Sequence, residues 1–90
     1  MKNDPADYDT FPLPVPGDMV VAQRFMRAWV SDKEKGRGAY PELIIDEGQQ
    51  GTVIQRCDDG NRIRLRIMIG ERILLVSHRV KCVTLNWHVI

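Results

Sequence analysis

A chain of 90 residues has room for one small core, because at this size only about 60–65% of the unfolded surface can be buried. Hydrophobic residues make up 43% and charged residues 28%, a globular balance that excludes wholesale disorder. The formal net charge of +1, from 13 basic and 12 acidic residues, implies no polyanion partner by itself, and the longest apolar runs, Met19–Ala22 and Ile73–Val76, are far short of the ~20 residues of a membrane span.

The charge is unevenly placed. Residues 1–18 carry Lys2 against Asp4, Asp7, Asp9 and Asp18, whereas residues 52–90 carry six arginines and Lys81 against Asp58, Asp59 and Glu71. The front is acidic and the back is basic. Met1 to Asp9 has no apolar stretch behind a basic start, so no secretory signal is read there. Cys57 and Cys82 form no Cys-x-x-Cys pair, and His78 and His88 complete no zinc spacing. A cytoplasmic chain with two buried, reduced thiols is expected, and no metal or cofactor.

In chain order, residues 1–17 hold Pro5, Pro12, Pro14 and Pro16. Proline fixes φ and lacks an amide hydrogen, so Phe11-Pro-Leu-Pro-Val-Pro-Gly17 reads as an extended leader. It is expected to lay Phe11, Leu13 and Val15 on the flank of the domain at residues 18–90. A peptide ligand for an aromatic groove is the alternative. Residues 19–30 fit two templates. As a strand, Val21, Gln23, Phe25, Arg27 and Trp29 share a face. As a helix, Asp18 caps and Val21, Phe25, Ala28 and Trp29 share one. The strand is the preferred expectation, since the segment opens β-branched; the helix would make the fold α+β. Residues 31–42, with two glycines, a proline and a run of charges, read as a loop, long enough to carry function.

From residue 47 the pattern is clearer. Glu47-Gly-Gln-Gln-Gly51 is a turn and Thr52–Cys57 a strand. Asp58-Asp-Gly-Asn61 is a hairpin signal, because glycine supplies positive φ without strain. In Arg62–Ile69 the residues Ile63, Leu65, Ile67 and Ile69 alternate with Arg62, Arg64, Arg66 and Met68, the period of a half-buried strand. Gly70-Glu71 is a second turn and Arg72–Ser77 another strand. After a bend at His78-Arg79, Val80–Trp87 is expected as the last strand.

Five short strands with a long first loop, tight later turns and a bend before the last strand resemble an SH3-like small barrel. The fold class is therefore expected to be mainly β. The residues that carry the resemblance are Gly17-Asp18-Met19-Val20-Val21, Gly48-x-x-Gly51-x-Val53 and Val80-Lys-Cys-Val83, and it covers roughly residues 17–86. Similar patterns occur in KOW-type domains, in the variable chain of ferredoxin–thioredoxin reductase and in type II dihydrofolate reductase. The Val-Gln-Ile-Tyr segment that carries ligand in that last family has no equivalent here, where Leu75-Val-Ser-His78 stands in the nearest place.

Three readings of function follow. Arg62, Arg64 and Arg66 point one way on a strand, about 6.5–7 Å apart. They form a solvated outer face, a protein interface, or a ladder that tracks phosphates. Lys33, Lys35 and Arg37 in the charged loop, with Trp29 at its border, extend the candidate contact surface; an exposed Trp29 would make a cation–π platform. Asp58 and Asp59 are explained by turn chemistry. Glu47–Gly51 lacks the lysine and following helix of a phosphate loop, and no nucleophile–base pair is evident. The leading expectation is a non-catalytic binding module that makes protein contacts, self-association included. The alternatives are a nucleic-acid-binding barrel and an enzyme whose site forms at an oligomer interface.

Overall fold

The computed structural model of the chain describes residues 13–30 and 42–90. Among these, β1 (Met19–Ala22), β2 (Met26–Val30), β3 (Glu42–Ile45), β4 (Gln50–Asp59), β5 (Arg62–Ile69), β6 (Arg72–Arg79) and β7 (Trp87–Val89) form one sheet. A 3-10 turn, Val80–Cys82, and a single helical turn, α1 (Val83–Asn86), precede β7. The protein is mainly β, as the alternation of β5 predicts.

The sheet order is β3-β2-β6-β5-β4-β1-β7, and every pairing is antiparallel. The meander β4–β5–β6 lies at its centre. Its two hairpins close with two-residue loops, Gly60-Asn61 and Gly70-Glu71, each with glycine first at φ 65 and 63. That placement is what a type II′ turn requires, and its twist matches the strands it joins.

The connection from β1 to β2 forces the sheet to curl. These strands lie on opposite flanks of the meander, four strand spacings apart, which is about 19 Å in a flat sheet. Only residues 23–25 join them, and the step from Ala22 to Met26 spans at most about 14 Å. The flanks must therefore bend toward each other, and the sheet becomes an open half-barrel. Its concave face carries Val20, Ala22, Met26, Ala28, Ile45, Val53, Ile63, Leu65, Ile67, Leu74 and Val76, all buried.

Two expectations are corrected. Residues 19–30 are neither one strand nor a helix but two strands with a corner. Their buried positions, Val20, Ala22, Met26 and Ala28, keep period two on both sides of it, so the face with Val21, Phe25 and Trp29 is the outer one. With this corner and the short β3 and β7, the described residues hold seven strands where five are expected. Second, Val80–Asn86 is helical. The buried residues there are Val83 and Trp87, four apart, which puts both on one side of a helical turn. Asn86 Nδ2 donates to the Cys82 carbonyl at 2.8 Å and helps close that turn.

The leader packs as expected at Leu13 and departs from its expectation at Val15. Pro14 is fully buried and Leu13 packs against the core, while Val15 is 45% exposed. Val15-Pro16-Gly17-Asp18 forms a turn: the Asp18 amide donates to the Val15 carbonyl at 3.0 Å, with Gly17 at φ 99, where proline and glycine suit a type II geometry. Phe11 lies outside the described residues.

Candidate interaction face

A β-bulge in β4 decides which side chains reach the convex face. Val53 opposes Ile67 and Gln55 opposes Arg66, which leaves Ile54 as the extra residue. Before it, Gly51 and Val53 face the core. After it the parity reverses, as a bulge must do. Arg56 and Asp58 turn to the concave side, and Gln55, Cys57 and Asp59 turn outward.

The inward pair closes one end of the half-barrel. Arg56 donates to both Asp58 carboxylate oxygens, at 2.7 and 2.8 Å, and to the Pro14 carbonyl at 3.2 Å. Bidentate guanidinium–carboxylate geometry is the strong form of this contact, and it holds the Asp58 carboxyl below its ordinary pKa. The same hydrogen bonds anchor the leader where it meets the sheet.

The outward residues stand in rows set by the strand registers. Nearest the β4–β5 hairpin is Asp59–Arg62–Arg79. Next comes Cys57–Arg64–Ser77, and then Gln55–Arg66–Leu75–Trp29. The fourth is Thr52–Met68–Ile73, which Met19 and, through its amide bond to the Met19 carbonyl at 2.9 Å, Ile90 extend across β1. The convex face thus runs from basic rows at one end to an apolar row at the other. Met19 is 49% and Met68 41% exposed.

The arginines are weakly engaged. Arg62 donates to the Ser77 hydroxyl at 3.1 Å and to the Ser77 carbonyl at 3.3 Å. Arg64 meets Asp59 at 3.5 Å, with both side chains half exposed or more, a geometry that contributes little. Arg66 and Arg79 have no acidic partner among the described residues. Between the arginine heads lies a shallow depression of about 180 Å³, lined by Gln55, Cys57, Arg64, Arg66 and Leu75.

The structure therefore brings Arg62, Arg64 and Arg66 together on one open face. Trp29 is 38% exposed and joins the row of Arg66 through Leu75. Lys33, Lys35 and Arg37 lie outside the described residues. Arg79, Leu75 and Met19 enter the face through cross-strand register, which a single strand's alternation does not reveal; Met68 already shares the parity of the arginines. Cys57 and Cys82 are free thiols, but Cys57 is exposed and Cys82 half-buried. The bulge corrects the expectation of a buried Cys57 by turning it outward.

Behind the face, His78 sits on the concave side. Trp87 Nε1 donates to its Nε2 at 3.1 Å, so the neutral ring carries its proton on Nδ1. Asn86 Nδ2, a donor committed to the Cys82 carbonyl, lies 3.4 Å from that Nδ1 and makes no hydrogen bond with it. Burial, and then the charge of Arg62, push the His78 pKa down to about 4. A proton on Nε2 would break the Trp87 bond. His78 is thereby a neutral acceptor that seats the core tryptophan. Among the described residues no group of three His, Cys, Asp or Glu side chains is placed to hold a metal, and no helix is long and apolar enough to cross a membrane. The chain matches no protein-family model, no curated protein and no solved structure.

Proposed function

We propose that this chain is a non-catalytic binding module that holds a protein partner against the convex face of β4–β5–β6. The observation that carries the reading is the contiguity of an exposed apolar row with three arginine-bearing rows on one face. Methionine and arginine are enriched where proteins meet, because thioethers adapt to an apolar contact and guanidinium groups bond several acceptors. A second copy would meet these arginines with its own arginines or its own apolar row, and with Asp59 as the one acid of the rows, so the face suits a partner of opposite charge better than a second copy. The curled sheet with its corner between β1 and β2, central meander and helical turn before the last strand supports an SH3-like small barrel as the framework.

A nucleic-acid partner is the second reading. The row Arg66–Leu75–Trp29 favours it, since it sets an indole two strands away from a guanidinium. Against it, the apolar row offers a base nothing to stack on.

Selection of displayed peptides on the wild-type protein, with counter-selection on Arg64→Glu and Met68→Asp, tests the proposal alongside titrations of single- and double-stranded oligonucleotides at low salt. We expect enriched peptides whose affinity falls about tenfold in either variant, with unchanged circular dichroism. Oligonucleotide binding with a steep salt slope, and no peptide that depends on the face, would overturn it.

A further inference from the structure

Along β5 the outward side chains read Arg62, Arg64, Arg66, Met68 in strict alternation. Consecutive members stand about 6.6–6.8 Å apart, so the series spans about 20 Å. Among the described residues, the rows of the four arginines, Arg62, Arg64, Arg66 and Arg79, hold one acidic side chain, Asp59, which meets Arg64. This is an ordered code of three cations followed by one thioether, flanked by Ile73 on β6 and, beyond Thr52, by Met19 on β1.

Resting on the protein-binding reading, we infer that the partner's contacting element is an extended acidic segment of the pattern acid-x-acid-x-acid-x-aliphatic, laid along β5. An extended chain repeats its same-face side chains at the spacing of the arginines and shares their right-handed twist. Its three carboxylates meet Arg62, Arg64 and Arg66, and its aliphatic residue lands on Met68. A helix does not fit the same series. Its same-face residues advance about 5.4 Å per turn, so three intervals cover about 16 Å and end about 4 Å short of the series. The depression over Leu75, flanked by Arg64 and Arg66, leaves room for the carboxylate between them. Arg64 exchanges its long, exposed contact with Asp59 for a carboxylate aligned with its fork.

The experiment is a fluorescence-anisotropy titration of the full chain with labelled peptides. One is Glu-Thr-Glu-Thr-Glu-Thr-Leu, tested together with its reversed sequence because the segment can run either way along β5. A second has the same composition with its glutamates contiguous, a third has serine for leucine, and a fourth has lysine for the central glutamate. Oligo-dT serves as the nucleic-acid arm. We expect one alternating peptide to bind about tenfold more tightly than the contiguous one and to weaken when leucine becomes serine. Arg64→Glu should lose that peptide and gain the lysine peptide, a reciprocal switch that a misfolded variant could not produce. Equal binding of alternating and contiguous peptides would overturn the extended pattern while leaving protein binding at this face intact. Binding of oligo-dT alone would overturn both.

Discussion

His78 shows how one side chain ties the protein's stability to pH. In the unfolded chain its ring titrates near 6.5; folded, it titrates near 4. Between those values the unfolded chain binds a proton that the folded chain refuses, so stability is complete above about pH 6.5 and falls as the pH drops toward 4. The loss is on the order of 3 kcal/mol, a large share of what a small domain has. Asp58, held low by Arg56, acts in the same direction at still lower pH. Urea midpoints measured from pH 7 to 4 should decline in the wild type and stay much flatter in His78→Gln. An undiminished decline in that variant would place the titrating group elsewhere. Gly51 makes a second demand at this scale. A Cβ there would stand 2.6 Å from Ile67 Cγ2, 2.8 Å from Ile69 Cγ1 and 2.9 Å from the Met68 carbonyl oxygen. The carbonyl cannot rotate away as a side chain tip could, so Gly51→Ala should cost about 1–3 kcal/mol by overpacking. A thermal melt identical to wild type would show that the sheet yields there.

At the scale of the element, β5 is the strand on which sequence and structure agree residue by residue. Its alternation separates Leu65, fully buried, from Arg64, exposed on the other face. Leu65→Ala should cost about 2–5 kcal/mol and Arg64→Glu within about 0.5 kcal/mol, compared by urea denaturation. Equal costs would overturn the assignment of Leu65 to the core face and Arg64 to the outer one. The hairpins at Gly60 and Gly70 were equally legible, because positive φ leaves a local mark. The bulge was not. Its one trace is the adjacent apolar pair Val53-Ile54, which breaks alternation for a single step, and the consequence (Cys57 out, Arg56 in) falls several residues later. Residues 80–87 are ambiguous for another reason. Val-Lys-Cys-Val-Thr-Leu-Asn-Trp satisfies a period of two about as well as a helical spacing, and only the burial of Val83 with Trp87 separates them. The candidate face was half legible. Three arginines lie on one strand, whereas the apolar row gains Met19 and Ile90 from segments remote in sequence.

For the whole molecule, the hairpin signals give the central order β4-β5-β6 but not the places of the outer strands, since β1 and β2 are neighbours in sequence and lie on opposite flanks in space. The two sheet edges are short: β3 has four residues and β7 three. The Trp87 amide is turned into α1, where it bonds the Val83 carbonyl, which removes one donor from the β7 edge. Short and partly occupied edges discourage unwanted strand addition, which agrees with the proposal that a partner docks on the convex face. The corner at residues 23–25 also sets a timetable for assembly. The two hairpins of the meander are local and can zip in about 1–10 μs each. Neither outer strand has a docking site until the meander exists, and the short tether means that seating one delivers the other almost at once. Folding should therefore end with a clasp snapping shut, a late and concerted event whose speed reflects topology more than the strength of any single contact.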